Sequence, residues 1–549
     1  MVIMEKSPNE SMSGDTKDNT KGQLKVIKQA IDCLDTDVNL SDKLEGFVQD
    51  YKAKLKSKPR QNLRQVPPPI ISGEWKLVRK DIIEKLQPSF CNINSSQLSD
   101  INRSQLRLCL LSLAIFPENS IIKKRSLIYW WIGGGLVSQG GGKTAEQVGE
   151  GVYNELLKQG LIEPDENDRS PLMNRCKMNP LIRYMLISVA EEAGFFYFPS
   201  KDNNTPPEDL RNCSLSSSHL RLIVGGEDGP DYEKLAKDEE VSTVFNVNEQ
   251  YLKLPHHWLS NMRKLKVLQL GRWQHSPMHH IEVDDQKFLD ELGVHHKHLK
   301  FLSLRGISRI TSLPDSIVQL VNLEILDLRA CHNLEKLPED IASLKKLTHL
   351  DVSECYLIER MPKGTEELSS LQVLKGFVVG TTRKNPCTIR NLQNLSQLRR
   401  LSIYIGRGAA RWEEQFESLT EVKSLRSLTI SWGVASQEMR EINSFLPRQL
   451  EKLELIGIPV ESIPKWLNPQ ELKNLKKLYI IGGKNLARWD HQQQNEQWSV
   501  EILRLKHLKE FRIGNKEDVL KKFPRLRFFE KINCPTADND ILWYKSRAV

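Results

Sequence analysis

An α/β solenoid is the fold this sequence predicts, and two recurrences predict it. The chain reads Leu299-x-x-Leu302-x-Leu304, then Leu323-x-x-Leu326-x-Leu328, then Leu347-x-x-Leu350-x-Val352. The interval from Leu323 to Leu347 is repeated from Leu347 to Leu371-x-x-Leu374, where Gly376 takes the third apolar position. Between rungs, Leu313-Pro314-Asp315-Ser316-Ile317 returns at that same interval as Leu337-Pro338-Glu339-Asp340-Ile341. A step of this size with this signature is a leucine-rich repeat, each unit a strand, a turn and a helical return.

Successive side chains of a strand face opposite ways, so Leu326 and Leu328 point into a core while Ile325, Asp327 and Arg329 point outward. One unit cannot bury its own leucines, so units stack, with strands about 4.8 Å apart, into a curved solenoid. The ladder begins weakly at Leu220 to Val224 and Val241-x-x-Val244, and is clear from Leu265-x-x-Leu268-x-Leu270. It continues as Leu398-x-x-Leu401-x-Ile403, Leu425-x-x-Leu428-x-Ile430, Leu450-x-x-Leu453-x-Leu455, Leu475-x-x-Leu478-x-Ile480 and Leu508-x-x-Phe511-x-Ile513. The last of these steps, from Leu475 to Leu508, is longer than those just before it and implies an insertion.

Taken in order, residues 1–22 are polar and read as a disordered tail. Residues 23–97 form a helical segment and linker, with apolar residues at helical spacing from Leu24 to Leu55 and the run Pro67-Pro68-Pro69. Residues 98–200 read as a small winged-helix-like domain. Its helices run Gln105 to Ala114 and Lys124 to Ile132, and a third is capped by Thr144 with Gln147 at its third helical position. A hairpin of Leu161 to Glu163 and Arg175 to Met178 then leads to a fourth helix starting at Asn179-Pro180. Residues 201–240 are a connector with a candidate first repeat, 241–535 the repeat domain and 536–549 a C-terminal tail.

The 549 residues carry 79 basic and 70 acidic side chains, and a net charge of +9 spread this way is no nucleic-acid footprint. Nine scattered cysteines without a Cys-x-x-Cys pair suit a reducing compartment. No apolar run approaches the ~20 residues needed to span a bilayer. The expectation is a soluble cytoplasmic protein.

The phrases Cys109-Leu-Leu-Ser-Leu-Ala-Ile-Phe-Pro-Glu118, Leu127-Ile-Tyr-Trp-Trp-Ile132 and Glu146-Gln-Val-Gly-Glu-Gly-Val-Tyr-Asn-Glu-Leu156 resemble the winged-helix region of plant NLR immune receptors. These are nucleotide-binding leucine-rich-repeat disease-resistance proteins of the coiled-coil class. In that family a nucleotide-binding domain precedes the winged helix, and the stretch ahead of it here is too short for one. The family's Met-His-Asp motif, whose histidine contacts the nucleotide phosphate, corresponds to Met178-Asn179-Pro180. The resemblance implies a truncated relative with the sensing end and no nucleotide switch.

Other signals are weaker. Gly140-Gly141-Gly142-Lys143-Thr144 looks like the end of a phosphate-binding loop, but Val137 stands where its first glycine belongs, and Thr144 serves better as a helix cap. His275, His279, His280, His295, His296 and His298, with Glu282, Asp284 and Asp285, fall in the long step between Leu265 and Leu299 and lack any metal-site spacing, which favours a polar loop. Lys123-Lys124-Arg125 reads as a solvated helix end. We therefore expect no catalytic residues, metal or cofactor.

The reading is a non-enzymatic defence protein that binds another protein on its concave face. Candidate contact residues there are Asp327, His349, Asp351, Arg400, Tyr404, Lys452, Lys477, Tyr479 and Arg512, with the tyrosine- and arginine-bearing C-terminal end favoured. The resemblance implies a pathogen effector, a guarded host protein or a complete receptor as partner, with no nucleic acid and no membrane span. The alternative is an adaptor scaffold that recruits an enzyme through the N-terminal helices.

Overall fold

The computed structural model describes residues 103–190 and 241–535, apart from short breaks of which 434–444 is the longest, together with strands at 221–224 and 543–544. The chain divides into two units, residues 1–223 and 224–549. The N-terminal helical segment and its linker, and the start of the fourth helix at Asn179-Pro180, lie outside the described residues.

In the first unit, α1 (Arg103–Ser112) runs into a 3-10 turn at Leu113–Ile115. Then come β1 (Ile122–Lys123), α2 (Lys124–Gly133), α3 (Ala145–Lys158), β2 (Glu163–Pro164) and β3 (Arg175–Lys177). The three strands form an antiparallel sheet in the order β1-β3-β2. Fully buried Trp131 ties α2 to α1 by donating from Nε1 to Ser112 Oγ at 2.8 Å, while that hydroxyl donates to Cys109 O. The capping box at the start of α3 is present: Thr144 N donates to Gln147 Oε1 at 2.9 Å, and Gln147 N to Thr144 Oγ1 at 3.3 Å. Lys124 is not a solvated helix end, since its ammonium lies 5.3 Å from the centre of the Tyr153 ring and burial lowers its pKa.

The second unit is the ladder, and β4 (Arg221–Val224) falls on the boundary before it. Its own strands are β5 (Thr243–Asn246), β6 (Tyr251–Leu252), β7 (Val267–Gln269), β8 (Glu282–Val283), β9 (Phe301–Ser303), β10 (Ile325–Asp327) and β11 (His349–Asp351). The longer strands follow: β12 (Val373–Val379), β13 (Arg400–Ile405), β14 (Ser427–Trp432), β15 (Lys452–Ile456), β16 (Lys477–Ile481), β17 (Ile502–Lys506), β18 (Phe528–Ile532) and β19 (Trp543–Tyr544). All but β6 and β8, which pair with each other, join one 14-stranded sheet in chain order. From β5 to β18 the pairing is parallel, with the register shifting between Lys375 and Phe377 of β12, and Leu302, Leu326, Leu350 and Leu374 stand side by side.

Those leucines are fully buried, and each contributes about 1.5–3 kcal/mol of hydrophobic stabilisation. The returns are single 3-10 turns, Asp315–Gln319, Glu339–Ser343 and Lys363–Glu367, each entered through a proline at 314, 338 or 362. Proline suits that place because its φ is preset and it has no N–H to leave unpaired.

Four expectations are corrected. Gly376 does not replace a core leucine; with φ of +79° it makes a bulge, and Phe377 takes the inward place opposite Ile403. Leu508, Phe511 and Ile513 are buried, but not as a rung. The strand there is β17, and its rung reads Val500-x-x-Leu503-x-Leu505, as far beyond Leu475 as Leu475 is beyond Leu450. The histidine-rich step is not merely a polar loop, because it contains β8 and α4 (Phe288–His295), whose Phe288, Leu289 and Leu292 are buried. The C-terminal tail carries β19, which runs antiparallel to β18.

Candidate recognition face

Parallel register turns the outward residues of successive strands into columns. One column runs Phe301, Ile325, His349, Val373, Arg400, Ser427, Lys452, Lys477, Ile502, Phe528, and the next Ser303, Asp327, Asp351, Lys375, Ser402, Thr429, Glu454, Tyr479, Arg504, Glu530. From β12 onward the strands are long enough for a third column, which includes Val378, Tyr404, Ser431, Ile456, Ile481, Lys506 and Ile532.

Eight of the nine candidate residues stand in these columns, and Arg512 does not. It is exposed and bridges Arg488 in a separate row of isolated parallel bridges, because the chain at 508–513 is already on the return path. His349 and Tyr479 are outward but buried, at 5% and 6% exposure, so each is held by neighbours rather than displayed.

The charged members are braced across rungs. Lys375 Nζ lies 2.7 Å from Asp351 Oδ2. Burial pushes the Asp351 carboxyl up, but Lys375 outweighs it and the carboxyl settles at about 2. Asp327, one rung earlier, moves the other way: burial pushes its carboxyl up, against the opposing pull of Arg305. Toward the C-terminal end Lys452 Nζ is 2.7 Å from Glu454 Oε2 and 4.7 Å from the centre of the Tyr479 ring. Arg504 stands 5.0 Å from that ring and 5.4 Å from the Phe528 ring, and pairs with Glu530 at 3.2 Å, as does Lys506 at 3.0 Å.

Sequence reasoning missed Lys375, Arg504 and Glu530, the last two because the final rungs were read out of register. It also missed an aromatic group at the edge of the face. Tyr356, 59% exposed, stacks on His332 at 6.1 Å and meets Tyr404 edge-on at 5.9 Å. The available signal was spacing: His332 and Tyr356 each follow a buried cysteine, at the same place in consecutive rungs. Those cysteines pin the turns, Cys331 Sγ donating to Leu304 O and Cys355 Sγ to Leu328 O, both at 3.1 Å. Burial pushes the Cys331 thiol up to about 12, which leaves it a structural donor and not a nucleophile.

Residues 115–186 match the family model of the disease resistance protein winged helix domain, and residues 243–536 match that of a leucine-rich repeat region. The chain belongs to the leucine-rich-repeat proteins of plant disease resistance. This disease-resistance repeat protein is 30% identical over 482 residues to "Disease resistance RPP13-like protein 4" of Arabidopsis thaliana, covering 85% of this chain and 53% of that one. Against "Disease resistance protein RPP8" of the same plant it is 24% identical over 397 residues, 71% of this chain and 40% of that one. The chain thus spans about half or less of the length of these relatives. Among solved structures, a leucine-rich-repeat protein of Leptospira interrogans aligns with a TM-score of 0.33 at 21% identity, over 56% of this chain and 70% of that one. Among the described residues of the disease-resistance repeat protein, no helix is long and apolar enough to cross a membrane.

Proposed function

We propose that this chain is a non-enzymatic, cytoplasmic recognition module of plant defence that binds a protein partner on the concave face between β12 and β18. The carrying observation is the run of outward Lys, Arg and Tyr side chains from Lys375 to Lys506, braced by ion pairs and cation–π contacts. Large side chains already held in place lose little freedom on binding, so their contact area converts into affinity. Arginine and tyrosine are the residue types that dominate such contacts. An open sheet face offers little to exclude water from a reaction, which favours binding over chemistry.

The same reading gives the chain no nucleotide switch of its own. Supporting it, Gly140 N donates to Lys143 O at 3.3 Å and Lys143 N to Gly140 O at 3.0 Å, closing a tight turn over Gly141 and Gly142, whose φ values are +57° and +74°. A turn closed on itself in this way does not wrap its amides around a phosphate.

The test is capture of host proteins on the immobilised full chain, read by mass spectrometry, with the double variant Tyr404→Ala and Lys477→Ala beside Arg512→Ala. We expect the double variant to lose the captured partner and Arg512→Ala to retain it, at equal melting temperatures. Retention by the double variant together with loss in Arg512→Ala would move the recognition face to the opposite edge.

A further inference from the structure

The rim along which each return re-enters the sheet is charged unlike the rest of the ladder. Eleven rungs, from Leu265 to Leu526, open on a leucine or on Val500, and the two residues before that position and the one after it line this rim. Of these thirty-three positions fifteen are Lys or Arg, and three, Glu324, Glu451 and Glu501, are acidic. The excess of twelve is larger than the +9 of the whole chain, so a modest total conceals segregated charge. The 3-10 returns behind the rim run the other way: Asp315–Gln319, Glu339–Ser343, Lys363–Glu367, Ile389–Asn394 and Glu417–Glu421 hold seven acids and two bases.

The rim is continuous and open. Arg426 N donates to Arg399 O at 2.8 Å and Glu451 N to Arg426 O at 2.8 Å, so the residue after each opening leucine stands beside its counterpart in the next rung. At about 4.8 Å per rung the row extends for roughly 50 Å. None of the fifteen bases is buried. Four are matched by carboxylates, as Lys300 is by Glu324 at 2.8 Å. Arg399 and Lys423 are exposed with no carboxylate partner among the described residues, and exposed Arg426 gives Nη1 only to the Lys423 and Leu425 carbonyls.

Two valines interrupt the bases. Val294, in the last turn of α4, and Val321, one of the rim positions, are 52% and 50% exposed. The segments that carry them meet at Lys297, whose Nζ donates to Gly293 O at 3.1 Å and to Gln319 Oε1 at 3.3 Å. The rim's one aromatic residue, Trp498, is buried, so no ring is displayed on which a nucleic-acid base would stack. A compact acidic protein would engage a short stretch of such a row. Bases that run the length of the sheet match an extended anionic surface.

The cytoplasmic leaflet of a membrane is a surface of that kind, and each Lys or Arg held near it is worth about fivefold in affinity. Apolar side chains among the bases add to this by entering the headgroup region. We propose that this rim lies against an anionic lipid bilayer, with Val294 and Val321 seated among the headgroups, so that the chain is held at a membrane surface without crossing it. The rim is separate from the outward columns of β12–β18, and the proposal does not rest on them.

The experiment is sedimentation of the full chain with vesicles of phosphatidylserine and phosphatidylcholine in equal parts, beside vesicles of phosphatidylcholine alone. Wild type should sediment with the anionic vesicles only, and less as salt is raised. Arg399→Gln, Lys423→Gln and Arg426→Gln together should weaken binding about a hundredfold at an unchanged melting temperature. Arg399→Lys with Arg426→Lys, which keeps the charge, should bind as wild type does. Lys336→Gln, Lys363→Gln and Arg390→Gln, an equal loss of charge outside the rim, should bind nearly as well as wild type. Val294→Ser with Val321→Ser should weaken binding at constant charge.

Wild type left in the supernatant with anionic vesicles overturns the proposal. So does an equal loss in the two glutamine triples, which would reduce the attraction to net charge. Unchanged binding in the valine double variant would remove the valines from the bilayer contact. Binding of a polyuridine strand by wild type that ignores the vesicles would make the rim a nucleic-acid surface instead.

Discussion

Lys375 Nζ lies 2.7 Å from Asp351 Oδ2, one rung apart, where the short strand β11 meets the long strand β12. A carboxyl whose folded pKa is depressed stabilises the fold above its unfolded value and loses that contribution as pH falls through the folded one. With Asp351 at about 2, stability should decline between roughly pH 4 and pH 2. Lys375→Met should raise the Asp351 pKa, shift the decline to higher pH, and cost about 1–3 kcal/mol at neutral pH by stranding a buried carboxylate. Urea melts from pH 2.5 to 7 on the two proteins read this directly.

Leu326 is fully buried between Leu302 and Leu350, so Leu326→Asp should cost about 3–5 kcal/mol. Taken as a solvated surface residue, Asp327 should tolerate alanine. Its place beside Arg305 and the Arg329 amide changes that expectation, and Asp327→Ala should cost about 1–3 kcal/mol. Denaturant melts should rank wild type above Asp327→Ala and Asp327→Ala above Leu326→Asp.

Gly376 sits at φ +79°, and a Cβ there would come within 2.5 Å of the Val352 carbonyl carbon. Gly376→Ala therefore combines left-handed strain of about 1–2 kcal/mol with a backbone clash. We expect a loss of at least that size, with protection from amide exchange lost first at Phe377 and Val378. A variant as stable as wild type would show that the bulge relaxes freely.

Titration calorimetry with ADP, and with ATP plus magnesium, should give no heat for the chain or for Lys143→Ala. Low-micromolar binding that disappears in Lys143→Ala would restore a nucleotide switch.

The ladder was legible in the sequence because a repeat's core is local: the inward positions of each short strand meet their counterparts in the next unit. Register failed where that locality gave two equally apolar answers. Leu508, Phe511 and Ile513 are buried at 0%, 1% and 6%, and Val500, Leu503 and Leu505 equally so, and hydrophobic pattern alone does not rank them. Only the interval from Leu475, equal to that from Leu450 to Leu475, favours Val500, a valine where most other rungs carry leucine. Arg504 and Glu530 were missed for that reason, and Arg512 was chosen in their stead. The bracing of Asp327, Asp351 and Tyr479 was illegible because it depends on partners in other rungs, set by register and side-chain reach.

The bulge at Gly376 divides the ladder into two grades of vocabulary. Each strand from β9 to β11 has three residues and shows two outward, while β15 to β18 have five and show three, as Lys452, Glu454 and Ile456 do. A repeat after the bulge can thus vary three letters without altering its leucines, where one before it can vary two. Partner choice can drift fastest where the strands are longest, while the fold that carries them stays fixed.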